Sequence, residues 1–324
     1  MKKLTSLTPV AAILALTLGN VSTANAEIKL ADQLSVTGFI DMSWTYTDPD
    51  GGSSEQSFGL DQFELDFLYN FDSKLSAQVD LEYQDNGTGE EVDIEQAFIT
   101  YGLSDSLSFK AGRFLSYSGW ETEEPTGLFQ YSGTGYAKYF YGGYQQGVSA
   151  LYSGDGFAAA VSVVNSLGDL EGEFKDPSSP AIETMIALMP TDDFTIKGFY
   201  SVDSIAGSSE SVKMMNIWAA YSMGDLTLAA ELNDSQNTAG IGTDAAGYLF
   251  MANYAFDSAG ITLRYHDYEV ETTAGAIIDD GSAITISPSL TISDNLLMVF
   301  EYRMDSSDTN GDSDSIAVEA LVTF

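Results

Sequence analysis

The sequence contains no cysteine and a single histidine, His266. Without cysteine, neither a disulfide framework nor a thiolate metal site can form. Strand parity turns His266 away from its neighbour Asp267, so the simplest catalytic pair is not formed. Residues 308–312 superficially resemble a calcium loop but lack the distal bidentate glutamate. The sequence therefore predicts neither an enzyme nor a bound metal or cofactor.

Basic residues are also scarce, with 12 Lys and Arg against 48 Asp and Glu. Two of the bases, Lys2 and Lys3, precede an apolar segment at 9–18 and the small-residue site Ala24-Asn25-Ala26, a pattern typical of a signal peptide. We expect residues 1–26 to be removed and residues 27–324 to form one domain of net charge −38. Such a chain repels nucleic acid and attracts cations.

After residue 26 no apolar run approaches the roughly 18 residues of a membrane-spanning helix. The mean hydropathy of −0.03 and the charged fraction of 19% suit a soluble protein. They suit a transmembrane β-barrel equally well, because half of each barrel strand faces water. The pattern of residues along the chain must therefore separate these two classes.

The C-terminal segment, residues 316–324, alternates apolar with mostly polar or small residues and ends on Phe324. Residues 63–71, 75–83 and 284–292 alternate in the same way, which is the period of a strand with one apolar face. Aromatic residues recur near strand ends, as in the interfacial girdles of barrels. Pro288 should weaken its strand because proline cannot donate to a ladder.

Tight turns and longer polar loops alternate between these segments. The tight turns are at 72–74, 104–106, 154–156, 191–193, 224–225, 257–259 and 293–295. The longer loops lie near 47–56, 85–91, 115–138, 168–180, 204–211, 235–244, 270–281 and 305–313. Seven turns and eight loops join sixteen strands. We therefore predict an all-β, antiparallel transmembrane barrel with short turns at one end and longer loops at the other.

The signal peptide, the turn rhythm and the terminal Val322-Thr323-Phe324 resemble Gram-negative outer-membrane porins. Residues 107–114, followed by a long loop, resemble the strand before the constriction loop of such porins. The nearest resemblance is to the putative β-barrel porin (OmpL-like) family. It implies contact with outer-membrane lipid and lipopolysaccharide, and a terminal aromatic read by the barrel-assembly machinery. Loop 85–91 lacks the long latch of trimeric porins, so monomer and homo-oligomer both stay open.

Strand parity assigns more acids than bases to the lumen, and we expect that lining to favour cations. Each of these charges could instead simply wet and cross-link the interior. The acids assigned to the lumen are Asp41, Glu64, Asp66, Asp80, Glu82, Glu183, Glu231, Glu301 and Glu319. The bases assigned to it are Lys110, Lys197, Arg264 and Arg303.

The longest loop, 115–138, is the candidate constriction, because long loops in compact folds are usually functional. It carries Glu121, Glu123 and Glu124, with Arg113 at its base. These acids facing basic wall residues would set up a transverse field across the pore. The alternative is an external, solvated loop. The tyrosines that begin within it could guide sugars or could serve in a girdle and in loop packing.

These features predict a passive porin for ions and small hydrophilic solutes, with a preference for cations. The alternatives are a substrate-specific, sugar-type channel, a barrel enzyme or an adhesin. Loss of a hydrolytic activity in His266→Ala would identify an enzyme. Liposome swelling with small sugars would separate a pore from an adhesin with a plugged lumen.

Overall fold

The computed structural model describes residues 27–85, 90–167 and 179–324. The predicted signal peptide, the middle of loop 85–91 and most of segment 168–180 lie outside these ranges. No helix in the described ranges has the length and apolarity to cross a membrane. The strands are β1 (Ile28–Lys29), β2 (Leu34–Pro49), β3 (Glu55–Asn70), β4 (Leu75–Asp85), β5 (Glu90–Gly102), β6 (Leu107–Leu115), β7 (Tyr144–Gly154), β8 (Phe157–Val164), β9 (Ala181–Thr191), β10 (Phe194–Ser204), β11 (Ser211–Met223), β12 (Leu226–Gln236), β13 (Thr243–Ala255), β14 (Ala259–Thr272), β15 (Ile277–Ser293), β16 (Leu296–Ser306) and β17 (Ser313–Thr323).

Strands β2 to β17 form one closed antiparallel sheet of sixteen strands. Each strand pairs with its neighbours in the sequence, and β17 pairs with β2 to close the barrel. The short β1 pairs with β2 beside this seam. Closure leaves no unpaired strand edge, as a β-structure in lipid requires. The predicted fold class and number of barrel strands are confirmed.

The strands carry apolar side chains outside and polar or small ones inside. On β9, Ile182 and Ile186 are exposed on the outer face, whereas Glu183 between them is fully buried. On β17, Ile316 is exposed, while Ala317, Glu319, Leu321 and Thr323 on the opposite face are buried. This alternation is the barrel pattern that the sequence predicts.

Phe324 completes the seam of the barrel. Its backbone N–H donates to Gly38 O at 3.0 Å, and Gly38 N–H donates to Phe324 O at 2.8 Å. A Cβ at position 38 would lie 3.1 Å from the Phe324 ring and 2.2 Å from the carbonyl oxygen of Glu64. Glycine at position 38 therefore lets the terminal aromatic ring lie against the wall.

Pro288 lies inside β15 and interrupts only one of its two ladders. It pairs with Ile261 of β14, whereas the pairing with β16 stops at Ile286 and resumes at Ser289. Within this gap the Ser287 hydroxyl donates to Phe300 O at 3.1 Å. The expected weakening is therefore local, and the strand continues through it.

Candidate functional site

The longest described connection, residues 116–143 between β6 and β7, folds into the barrel; we call it the inner loop. It contains a short 3₁₀ turn, Pro125–Gly127, and a single-turn helix, α1, Ala137–Phe140. Gly119 has φ +90°, and a Cβ there would lie 2.6 Å from the Tyr141 ring. Glycine is therefore required for the loop to fold back on itself at this point.

Glu231 of β12 is the main acceptor for the inner loop. Its Oε1 accepts the Trp120 backbone N–H at 2.7 Å, and its Oε2 accepts the Tyr136 hydroxyl at 2.8 Å. The Tyr141 hydroxyl also donates to Oε2. Burial, followed by the charge of Glu231, raises the pKa of both tyrosines well above the usual value. Both therefore stay protonated as donors.

Glu183 of β9 holds the start of the inner loop. It accepts the Ser116 hydroxyl at 2.6 Å and the Tyr117 backbone N–H at 3.2 Å. Gln145 of β7 donates to the same carboxylate at 3.0 Å. A loop inside a barrel needs acceptors for its backbone N–H groups, and inward carboxylates of the wall supply them.

Arg264 of β14 forms a buried ion pair with Glu121 of the inner loop. The distance from Nη1 to Oε1 is 2.5 Å, and the two side chains are 0% and 7% exposed. Arg264 also donates to Ser132 O at 2.5 Å, while Glu121 accepts the Thr134 N–H at 2.8 Å. The pair therefore cross-links two parts of the loop to the wall.

Residues of β16 hold the same part of the inner loop. Arg303 donates to Gly133 O at 2.6 Å and pairs with Asp305 at 2.6 Å. Glu301 accepts the Ser132 N–H at 3.1 Å. Arg264 and Arg303, the two arginines that parity assigned to the lumen, thus bind the loop, and their charges have anionic or carbonyl partners. We call Glu183, Glu231, Arg264, Glu301 and Arg303 the anchor side.

The tyrosines of the inner loop pack within the barrel. Tyr136 and Phe140 are fully buried and meet edge to face, with ring centroids 5.3 Å apart. Tyr136 also contacts the ring of His266, at 5.4 Å. His266 faces inward, as parity predicts, and it contacts an aromatic ring there. This arrangement favours loop packing over a row of rings exposed to sugars.

On β3, β4 and β5, inward acids lie beside other acids. Glu64 and Asp80 are buried, and the Glu64 carboxylate lies close to those of Glu95 and Glu124. Burial, followed by the charge of Glu95, raises the pKa of Glu124 well above the usual value. We call this set the acidic side; it comprises Glu64, Asp66, Asp80, Glu82, Glu95, Glu123 and Glu124.

A cavity of about 1510 Å³ lies between the inner loop and the tight-turn end of the barrel. It reaches residues 153–156 of one turn and Asp192 and Asp193 of another. Glu121, Glu123 and Glu124 line it from the loop. The cavity makes a large polar vestibule below the loop.

The structure separates the predicted pore residues into different environments. Lys110 faces inward, with Nζ 4.5 Å from the centroid of the Phe98 ring. Arg113 pairs with Ala97 of β5 and Gln146 of β7, and its Nε is buried without a hydrogen-bond partner among the described residues. Glu319 is buried on the inner face of β17 and lies apart from the inner-loop acids. Glu82 accepts the Gln62 amide at 2.8 Å.

Glu95 is a buried acid of the wall that the sequence did not assign to the lumen. The pairing of β4 with β5 shifts at this point, from Asp80↔Gln96 to Leu81↔Ile94, so Glu95 is an extra, bulged residue. A bulge breaks strict alternation and re-aims a side chain. The weak period of residues 92–101 is the signal that could have indicated such an irregularity.

Solved structures with this fold include several outer-membrane proteins. OmpF of Salmonella typhi in complex with daunomycin is 16% identical, with a TM-score of 0.73, over 92% of this chain and 100% of that chain. The outer-membrane channel DcaP of Acinetobacter baumannii is 15% identical, with a TM-score of 0.71, over 92% and 100%. An anion-selective porin from Comamonas acidovorans is 13% identical, with a TM-score of 0.69, over 90% and 99%.

No curated protein matches the chain by sequence. At these low identities the solved structures show the fold alone. A match to a protein family begins at residue 33, directly before β2, and extends to residue 324, so it covers all strands of the barrel. Over residues 33–324 the sequence matches the family described as Putative beta-barrel porin-2, OmpL-like, and the chain belongs to that family of outer-membrane β-barrel porins.

Proposed function

We propose that this porin is a passive, water-filled diffusion channel of the outer membrane that prefers cations. Ions and small hydrophilic solutes would pass the inner loop, which acts as the constriction, and the vestibule below it. The observation that carries the cation preference is the difference in pairing between the two inward arginines and the loop acid Glu123. Arg264 and Arg303 are bound to loop groups, whereas Glu123 is exposed beside the cavity.

The pairing matters because a base that is already neutralised contributes little to the field that an ion meets. Unpaired carboxylates beside the permeation path raise the local concentration of cations. The mature chain also carries a net charge of −38, which gives the same bias at both mouths. The proposal includes a homo-oligomer in contact with lipid and lipopolysaccharide, supported by the trimer form of the related-fold OmpT of Vibrio cholerae.

Planar-bilayer recording in a salt gradient tests this function. We expect the reversal potential of the unmodified porin to indicate cation preference. The double variant Glu123→Gln/Glu124→Gln should bring that potential closer to zero. The matched control, Asp257→Asn/Asp294→Asn, removes the same charge from exposed tight turns and should leave it nearly unchanged.

Anion preference in the unmodified porin would contradict the proposed selectivity. Equal shifts in the two double variants would show that total charge, and not the acidic side, sets the reversal potential. Absence of any conductance, together with no swelling of liposomes in small sugars, would contradict the channel itself.

A further inference from the structure

Three carboxylates converge where the inner loop meets β3 and β5. Glu64, Glu95 and Glu124 each offer an oxygen, and these oxygens lie within 4.8 Å of one another. Glu64 is 4% exposed and Glu95 is 3% exposed. Three carboxylates at this separation in a buried place repel strongly unless protons or a bound cation neutralise part of their charge.

The hydrogen-bond donors around this cluster do not satisfy it. In the described part of the chain, the Oε2 atoms of Glu64 and Glu95 are buried and accept no hydrogen bond. Among the described residues, amide and hydroxyl donors reach the Glu124 carboxylate only at long distances, 3.4 Å from the Gln62 amide and 3.4 Å from the Tyr144 hydroxyl. No ion pair between described residues includes any of the three acids. A buried carboxylate oxygen without a hydrogen-bond donor costs free energy. The cluster therefore lacks a group that would compensate its oxygens.

A neighbouring group of acids shows the contrast. Glu64, Asp66 and Asp80 also lie within the same distance of one another. There, however, Thr37 donates to Asp66 at 2.8 Å, and Gln96 donates to Asp80 at 2.8 Å. Side-chain donors supply much of what this second group needs. Asp66 Oδ1 still lacks a donor among the described residues, so the unmet demand covers the three glutamates and this adjoining oxygen.

The backbone brings the three glutamates together from separate elements. Glu64 belongs to a regular part of β3, and the bulge in β5 turns Glu95 toward it. Glu124 lies in the inner loop directly before Pro125, whose ring restricts the backbone on either side. A ligand shared by these residues would therefore tie the constriction loop to two strands of the wall.

We propose that Glu64, Glu95 and Glu124 bind one Ca²⁺ ion that fastens the inner loop to the acidic side. All three ligands are carboxylates, which suit a hard cation. Oxygens up to 4.8 Å apart can lie on opposite sides of one ion at Ca–O distances of about 2.4 Å. Mg²⁺ requires shorter distances, near 2.1 Å, and usually keeps several waters. The site does not depend on whether ions permeate the barrel.

Calorimetric titration of CaCl₂ into the folded, chelator-treated mature chain in detergent tests the proposal. About 0.15 M NaCl screens loosely bound ions on the acidic surface. We expect one tight Ca²⁺ per chain above any weak background. Glu95→Gln should weaken that binding by roughly tenfold or more, because loss of an outer-shell partner alone often costs that much.

Glu319→Gln is the matched control, because it also removes one buried, inward carboxylate from the wall. It should leave the tight binding within roughly twofold of the unmodified chain, well below the loss expected for a ligand. Glu124→Gln provides a second test at a position outside the strands of the barrel. It should weaken the binding as Glu95→Gln does. The heat-sensitive migration of each variant on a detergent gel checks its folding.

Terbium(III), which replaces Ca²⁺ at oxygen sites, gives an independent readout through excitation of a nearby tyrosine. The Tyr144 hydroxyl lies 3.4 Å from Glu124, so Tyr144→Phe should reduce the terbium emission while the calcium affinity stays nearly unchanged. Absence of a tight calcium component would overturn the proposal. Equal losses in Glu95→Gln and Glu319→Gln would also overturn it, since only general acidity would then attract the ion. Because these measurements involve no permeation, a negative result here leaves the channel proposal to its own test.

Discussion

On the anchor side, each inward carboxylate accepts hydrogen bonds from the inner loop or pairs with a base, whereas on the acidic side three glutamates face one another. Glu231 has donors on both of its oxygens. Glu64 and Glu95 each have an oxygen with no donor among the described residues. Glutamates of the anchor side therefore hold the inner loop in place. Glutamates of the acidic side leave carboxylate oxygens without donors.

This difference shows how a very acidic chain can hold a loop inside its own barrel. A wall of bases is not required, because carboxylates bind the backbone N–H groups and tyrosine hydroxyls of the loop directly. Two of the four inward bases, Arg264 and Arg303, are used where loop carbonyls or Glu121 need a cationic donor. The other two, Lys110 and Lys197, line the cavity.

The largest effect should follow the loss of the main anchor. Glu231→Ala would leave the Trp120 amide and the hydroxyls of Tyr136 and Tyr141 without their acceptor. Each buried donor left unpaired costs about 1–3 kcal/mol, so the loop should detach from β12. Single-channel recording should show a higher conductance than in the unmodified porin. Glu269→Ala, at an exposed position of β14, should leave the conductance unchanged.

A smaller effect should follow from breaking the buried ion pair. Arg264→Ala leaves Glu121 without its charged partner and should lower the free energy of unfolding by about 3–5 kcal/mol. Arg264→Ala/Glu121→Ala should lower it by less than the sum of the two single changes, because the stranded charge is gone. Urea unfolding in detergent, followed by tryptophan fluorescence, measures all three variants. Additive losses would show that the two side chains act independently.

The smallest effect should come from the rim of the anchor side. Tyr139 donates to Asp279 at 2.5 Å near the mouth of the barrel, where water can replace the contact. Tyr139→Phe should lower the free energy of unfolding by at most about 1 kcal/mol. Tyr152→Phe, on the outer face of β7, is the matched control and should change it even less. A large rise in conductance or a large loss of stability in Tyr139→Phe would place the loop anchor at the rim and not at Glu231.

The sequence predicted the barrel well because lipid imposes a local rule. Every second residue of a strand must be apolar, so Ile182, Glu183 and Ile186 could be assigned to faces from parity alone. The same rule failed at Glu95, where a bulge inserts one residue. This exception concerns a single residue in a fold that was otherwise predicted strand by strand.

The role of each inward charge was not predictable in the same way. Parity shows that Glu231, Arg264 and Glu64 face the lumen, but it does not show what they meet there. Their partners come from residues 116–143, more than 30 positions away in sequence, and depend on how that loop folds within the barrel. The three glutamates of the inner loop were expected to act together, yet Glu121 binds Arg264 while Glu124 joins Glu64 and Glu95.

The amino-acid sequence by itself determined the closed barrel, its sixteen strands and the direction of most side chains, because alternation and turn chemistry act between near neighbours. Only the tertiary structure decided which carboxylates hold the inner loop and which gather without donors. That choice depends on contacts between distant segments and on one bulge in β5, and neither follows from the local period of the chain.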